Sequence, residues 1–127
     1  MIEIYWDNDE KTIIHCKFAE GWGLQDLHKM MEEVSDLIDL VEHWVYVIMD
    51  MSGAGNVPAG ILSNSRSLSM KFHPRVKMYI DVTDSMFVEM IANIFEKVIT
   101  VDANVQVVKT LEEAYAQIES DIAESAH

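Results

Sequence analysis

Residues Val47–Gly60 read VIMDMSGAGNVPAG, an apolar run that passes into a glycine-containing loop and then into a proline. The run starts at Trp44 and is continuously apolar to Met49, as expected for a short strand covered on both faces of a parallel sheet. Pro58 suits the first turn of a following helix, because its missing N–H is not needed there. The stretch therefore predicts a strand–loop–helix unit, a junction at which α/β proteins often hold phosphate loops, nucleophiles or phosphorylation switches.

Two alternating segments and a helix precede this unit. The inward-facing residues of the segments are Ile2, Ile4 and Trp6 in the first, and Ile14, Cys16 and Phe18 in the second. Since the turn-rich residues 7–11 join them, they predict a β-hairpin. Apolar residues then recur at helical spacing from Leu24 to Val41. We expect Gly23 to be the N-cap of this helix, with Asp26 near its positive end.

Helices and strands continue to alternate after the loop. The pattern predicts a helix from Pro58 to Phe72, a strand at Val76–Val82, a third helix capped by Asp84 or Ser85, a strand at Val105–Val108 and a last helix with a capping box at Thr110–Glu113. The order ββαβαβαβα predicts an α/β fold with a mixed, mostly parallel sheet flanked by helices. We expect one domain over residues 1–123 and a frayed C-terminal tail at 124–127.

Composition and charge limit the partners and the compartment. The chain has 127 residues, half of them hydrophobic, and a net charge of −13. Such a charge repels nucleic-acid phosphates and anionic membranes, so we expect neither as a partner. The start MIEIYWDNDEK is unlike a signal peptide, and no apolar stretch approaches the roughly 20 residues that span a bilayer. Because Cys16 is the one cysteine, no intramolecular disulfide forms, and we predict a cytoplasmic protein.

The glycine loop matches no motif for phosphate chemistry. Gly55–Gly60 has the GxxxxG spacing of a P-loop, but Ile61 and Leu62 replace the required lysine and hydroxyl residue. A dinucleotide-binding motif fails because Pro58 stands at a required glycine. Ser52 has no G-x-S-x-G surroundings, and no two histidines have the i,i+4 spacing of a helical zinc site. The sequence therefore predicts no catalytic set, no metal and no cofactor.

The element order and one short motif together resemble a known family. A hairpin, a helix, a strand ending Asp50-Met51-Ser52-Gly53 and a further helix resemble the STAS domain, best known from anti-sigma-factor antagonists. The run Thr110-Leu111-Glu112-Glu113-Ala114 is similar to the start of the last helix in its SpoIIAA-like and lipid-exchange-like (CRAL-TRIO) branch. The resemblance implies an antiparallel first strand beside a mainly parallel sheet, and a usually non-catalytic module that binds proteins.

The resemblance also implies a phosphorylation switch, which this sequence lacks. In the antagonists, a partner kinase phosphorylates a serine at the start of the second helix, and the added charge breaks binding. The corresponding position here is Pro58 or Ala59, and neither carries a hydroxyl. Ser52 and Ser63 lie nearby in the sequence but not at the family position. The cluster Ser63–Ser69 is either a small-residue packing surface or a group of modification sites.

Candidate contact residues gather around the loop. Trp22, between two glycines, either caps the core or anchors a partner or a second protomer. The chain has nine methionines. Several of them would form an interaction surface or an apolar pocket if they were exposed together, and the candidates are Met30, Met51, Met70, Met86 and Met90. The predicted partner- or ligand-contact residues are Trp22, Asp50, Met51, Ser52, Gly53, Asn56, Pro58 and Ser63.

Three functions remain open from the sequence. The first is a non-enzymatic, STAS-like interaction or regulatory module that binds a protein partner and itself. The second is a carrier of a small apolar, lipid-like ligand, which needs a cavity of a few hundred Å³, about the size of a small-molecule site. The third, a remote alternative, is an enzyme with Asp50 as general base and Ser52 as hydroxyl donor. The sequence places no histidine or lysine beside Asp50.

Overall fold

The computed structural model of the chain describes residues 1–61, 63, 72–86, 88–90, 93 and 104–125. Its strands and helices within these ranges are β1 (Ile2–Trp6), β2 (Ile13–Phe18), α1 (Leu24–Asp39), β3 (Val45–Asp50), β4 (Val76–Val82), β5 (Val105–Val108) and α2 (Leu111–Ser125). A further helix, here called the Met86 helix, includes Met86 and residues 88–90. The alternation of strands and helices confirms the predicted α/β class.

The described strands form one mixed sheet in the order β1-β2-β3-β4-β5. β1 pairs antiparallel with β2, from Ile2 opposite Phe18 to Trp6 opposite Ile14. The pairs β2–β3, β3–β4 and β4–β5 are all parallel. Because parallel strands end at the same edge of a sheet, the loops that follow β2, β3 and β4 emerge side by side.

An apolar core lies on each side of the sheet. The core on the α1 side includes Ile14, Val34, Ile38 and Val47. The core on the α2 side includes Ile48, Ile80, Ala114 and Ile118. Burying one such Val or Ile side chain stabilises the fold by about 1.5–3 kcal/mol. Since β3 and β4 contribute to both cores, both strands are apolar almost throughout.

The N-termini of the two long helices are capped close to the predicted positions. The Gly23 N–H donates to Asp26 Oδ2 at 2.9 Å at the start of α1. At the start of α2, the Glu113 N–H donates to Thr110 Oγ1 at 3.1 Å. Glu113 Oε2 accepts the Lys109 N–H at 2.9 Å, one residue earlier than a standard capping box requires. The capping residues near Gly23 and Thr110 therefore determine where the two helices begin.

Ser85 caps the Met86 helix. Its Oγ accepts the Val88 N–H at 3.3 Å, and its carbonyl accepts the Glu89 N–H at 3.0 Å. Of the two predicted caps, Asp84 and Ser85, the structure thus selects the second. Val88, three residues after this cap, is buried. The later positions of this predicted helix from residue 94 onward lie outside the described residues.

The helix predicted to begin at Pro58 does not begin there. Residues 59–61 form a turn, and Gly60 has φ of 85°, a left-handed conformation that no α-helix contains. Ser63 Oγ donates to the Gly60 carbonyl at 3.0 Å. Residues 62 and 64–71, which hold most of this predicted helix and of the serine cluster, lie outside the described residues.

Two element boundaries also differ from the sequence prediction. β3 starts at Val45, and Trp44 is 57% exposed, so the apolar run overestimates the strand by one residue. α2 continues through Ser125, so Glu124 and Ser125 are helical although the sequence assigned them to a tail. Differences of one or two residues at the ends of an element are usual, because the last residues are only partly held by its hydrogen bonds.

Candidate functional site

The loops at the carboxyl edge of the parallel strands hold most of the predicted contact residues. Trp22 follows β2, the motif Asp50–Gly53 ends β3, and Asp84 and Ser85 follow β4. In open α/β sheets, ligands bind at this edge. The carboxyl edge of the sheet is therefore the candidate site.

An apolar cavity of about 80 Å³ lies between the sheet, α1 and these loops. Its described lining comprises Phe18, Trp22, Leu27, Met30, Met31, Met49, Met51, Val57, Ile61, Phe72, Tyr79, Asp81, Val88 and Val105. Four of these residues are methionines, whose unbranched side chains adapt to irregular shapes. The predicted contact residues Trp22 and Met51 therefore meet at one cavity.

Asp81 is the charged residue in this otherwise apolar lining. It lies on β4 opposite Met49 of β3 and Val107 of β5, and it is 6% exposed. Its Oδ1 has no hydrogen-bond partner among the described residues. Burial alone raises the pKa of Asp81 to about 7, because a low-dielectric environment disfavours the charged carboxylate. Asp81 is thus a buried carboxyl that can be neutral near neutral pH.

Trp22, which also lines the cavity, carries a second buried polar atom. The residue is 4% exposed, and its ring meets that of Phe18 edge-on with centroids 4.9 Å apart. This burial favours the core-capping interpretation of Trp22 over a free partner anchor. Its Nε1 has no hydrogen-bond partner among the described residues, although an indole N–H usually finds one when buried.

Asp50 and Ser52 form a separate polar group at the end of β3. The Ser52 hydroxyl donates to Asp50 Oδ1 at 2.7 Å, and the Ser52 N–H donates to the same oxygen at 3.2 Å. Burial acts to raise the pKa of Asp50, but the Ser52 hydrogen bonds and the neighbouring His15 outweigh it and hold the pKa below its usual range. Asp50 is therefore a stably ionised acceptor, and a poor general base at neutral pH.

His15 lies beside Asp50, which the sequence did not predict. Its Nε2 is 3.5 Å from Asp50 Oδ2, and its Nδ1 is 3.6 Å from Asp7 Oδ1. Tyr5 stacks on the imidazole with ring centroids 5.1 Å apart. Burial, together with the nearby Asp7 carboxylate, raises the pKa of Tyr115 from α2. These contacts close over His15, which is 4% exposed.

The group does not reproduce a nucleophile–imidazole–carboxylate triad. The Ser52 hydroxyl is bonded to the Asp50 carboxylate, whereas His15 approaches the other oxygen of that carboxylate. A serine nucleophile needs the imidazole itself as its proton acceptor. The arrangement stabilises the end of β3 and offers Ser52 no general base stronger than the ionised carboxylate.

The glycine loop is a turn on the surface. Gly55 has φ of 67°, and a Cβ at this position would lie 2.8 Å from Glu20 Cγ, so a side chain is disfavoured both by conformation and by space. Gly53, Asn56 and Ser63 are exposed, and Pro58 is half-buried. These four predicted contact residues lie near the carboxyl edge of the sheet but do not line the cavity. The predicted contact residues Asp50 and Ser52 do not line it either, and they hydrogen-bond to each other.

Comparisons with known proteins identify the fold. No protein-family model matches the chain, and no curated protein matches its sequence. A solved structure that it does match is that of an uncharacterised protein of the DUF3478 family, with a SpoIIAA-like fold, from Shewanella loihica PV-4. The TM-score is 0.64 at 9% identity, over 92% of this chain and 91% of that one. The chain thus has a SpoIIAA-like fold, which confirms the predicted STAS-like architecture.

Pro58 and Ala59 occupy the region where the resemblance places a phosphorylated serine. Among the described residues, no helix is long and apolar enough to cross a membrane.

Proposed function

We propose that this protein is a non-enzymatic interaction module that binds a protein partner through the carboxyl edge of its sheet, without a phosphorylated serine at the family position. The observation that carries the proposal is a pair of exposed methionines on the Met86 helix. Met86 is 85% exposed and Met90 is 46% exposed. Residues four apart lie on one helix face, so their side chains form one apolar patch, here called the methionine patch.

The surroundings of the methionine patch indicate the chemistry of the partner. Asp84 and Glu89 are both exposed beside it, and the chain as a whole carries a net charge of −13. Methionine-rich surfaces adapt to different apolar partners, and a complementary charge speeds association. We therefore expect a partner with an apolar patch and a basic rim.

A second copy of this chain is the other candidate partner. Two copies of a chain with a net charge of −13 repel each other, whereas a basic partner is attracted. Salt weakens both effects. Binding of a basic partner should therefore weaken as salt increases, and formation of a homodimer should strengthen. The salt dependence distinguishes the two partners.

The test combines affinity capture with sedimentation velocity. We expect proteins retained by the wild type to be lost from the double variant Met86→Glu/Met90→Glu. The matched control is Leu40→Glu/Trp44→Glu, since Leu40 and Trp44 are 80% and 57% exposed near the opposite edge of the sheet. Sedimentation of wild type and both variants at low and high salt measures self-association.

The proposal requires that the first variant, and not the control, loses its partner or its dimer while circular dichroism reports an unchanged fold. Equal retention by all three proteins would place the interface elsewhere. A strict monomer that retains no protein at any salt concentration would contradict the proposal as a whole.

Binding of a small apolar ligand is the second candidate function, and the apolar lining of the cavity supports it. The volume of about 80 Å³ is well below the few hundred Å³ of a drug-sized or lipid site. An acyl chain therefore does not fit without rearrangement, and the ligand, if one binds, is much smaller than a lipid. Native mass spectrometry of the purified protein tests for a retained molecule.

A further inference from the structure

The methionine patch is accessible to oxidants, whereas the methionines inside the described part of the fold are shielded. Met86 is 85% exposed and Met90 is 46% exposed. The described methionines of α1 and β4 are at most 7% exposed, and they are Met30, Met31 and Met78. Oxidation of a thioether requires that the oxidant reach its sulfur. The two exposed side chains of the patch should therefore react before the buried ones.

Cys16, the one cysteine of the chain, does not compete for the oxidant. The residue is fully buried, and burial raises the pKa of its thiol to about 12. The thiolate is the reactive form of cysteine, and this form is scarce at neutral pH when the pKa is so high. Oxidation of the folded protein should therefore begin at exposed methionines.

The charge around the patch favours an uncharged oxidant. Asp84 and Glu89 are exposed beside the patch, and the net charge of −13 repels anionic oxidants. Hydrogen peroxide is uncharged at neutral pH, so it is not repelled. The methionine sulfur attacks one oxygen of the peroxide, and the O–O bond breaks. That oxygen stays on the sulfur as a sulfoxide, its proton leaves with the other oxygen as water, and two electrons pass from the sulfur to the peroxide.

We propose that Met86 and Met90 form an oxidation site, at which a hydroperoxide makes the methionine patch polar and weakens binding of the partner. This regulation rests on the proposed function, because it acts on the same surface. A sulfoxide is a polar acceptor, and an apolar partner surface leaves it without a hydrogen bond. Reduction of the sulfoxide restores the thioether and with it the apolar patch.

The first test measures the order of oxidation and requires no partner. The folded wild type is treated with hydrogen peroxide, and peptide mass spectrometry follows the gain of one oxygen atom at each methionine. We expect Met86 and Met90 to gain oxygen before Met30, Met31 and Met78. Oxidation of Met78 as early as Met86, or of Cys16 before either patch residue, would overturn the proposal.

The second test measures binding before and after oxidation. The probe is a fluorescently labelled amphipathic peptide of leucine and lysine, which has the apolar face and the basic rim expected of the partner. We expect oxidation to weaken its binding to the wild type by about tenfold. The matched control Met86→Leu/Met90→Leu keeps an apolar patch without thioethers, so it should keep its affinity after the same treatment. Met1, which is 75% exposed, is present in both proteins and does not account for a difference between them.

The two proposals fail in different ways. An untreated wild type that does not bind the peptide would contradict the expected partner chemistry, and the regulation with it. A wild type that binds the peptide and keeps its affinity after oxidation would overturn the regulation alone. An equal loss of affinity in Met86→Leu/Met90→Leu would also overturn it, because the loss would then arise outside the methionine patch.

Discussion

Asp81 occupies a position where a carboxyl is costly. β4 is a central strand with parallel neighbours on both sides, and such strands are covered on both faces. The sequence around Asp81 alternates apolar residues at Val76, Met78, Ile80 and Val82, which by itself assigns the intervening residues to a polar face. Only the position of β4 within the sheet reveals that this second face is buried. For this reason the sequence alone points to Asp50 and not to Asp81.

The first prediction concerns the pH dependence of stability. The pKa of Asp81 is raised to about 7, so between about pH 4 and pH 7 the folded protein keeps a proton that the unfolded chain has released. The free energy of unfolding should therefore fall as pH rises through this window. In urea titrations at about pH 5 and pH 8, the wild type should lose about 2–3 kcal/mol more than Asp81→Asn between the two conditions.

Two choices make this comparison specific to Asp81. The lowered pKa of Asp50 acts in the opposite sense, because its stabilisation is lost as pH falls through the folded pKa; starting at about pH 5 avoids that range. The control Asp84→Asn removes an exposed carboxyl and should keep the wild-type pH profile. Parallel profiles for wild type and Asp81→Asn would contradict a protonated Asp81.

Strands and helix starts follow from local sequence, whereas the partners of each element do not. The alternation in β1 and β2 and the caps at Gly23 and Thr110 each depend on a few neighbouring residues, and all were predicted. Tyr5, Asp7 and Asp50 cover His15. Alternation does not report these contacts, so by itself it assigns His15 to the outer face. The prediction that a helix begins at Pro58 was wrong. Gly60 adopts a left-handed φ, and a proline two residues earlier does not prevent this conformation.

The second prediction concerns the end of α1, which has no basic residue in its last turn. Arg75, just before β4, supplies one from outside the helix. Its Nη2 donates to the Ile38 carbonyl at 3.0 Å, and its Nη1 donates to the Val41 carbonyl. The Ile38 carbonyl also accepts the Val41 N–H at 3.1 Å, so Arg75 adds a charged donor to a helix end whose acceptors are otherwise only partly paired.

Arg75→Met should therefore lower the free energy of unfolding by about 1–3 kcal/mol, the usual cost of losing hydrogen bonds to a charged group. Arg75→Lys keeps the charge but not the two-pronged geometry, so its loss should be intermediate. Urea titrations followed by circular dichroism measure both. Wild-type stability in Arg75→Met would mean that solvent satisfies these carbonyls equally well.

At the scale of the whole molecule, the sheet separates two regions of different character. The α1 side holds the cavity with Asp81 and Trp22, whereas the α2 side holds the buried group around His15. Both regions extend to the carboxyl edge, where Met51 lines the cavity and Ser52 bonds Asp50. Adjacent residues of the motif Asp50–Gly53 thus serve opposite faces, since successive side chains at a strand end alternate.

The third prediction follows from the net charge of −13. A large excess of one sign destabilises the compact state through repulsion among surface charges. The range of this repulsion falls from about 30 Å at 0.01 M salt to about 8 Å at 0.15 M salt. Raising NaCl between these concentrations should therefore increase the melting temperature by about 2–5 °C.

The double variant Glu112→Gln/Glu119→Gln, which removes two exposed charges from α2, should show a smaller increase. A melting temperature that falls with salt would mean that ion pairs such as Lys77–Asp121, 3.6 Å apart, outweigh the repulsion.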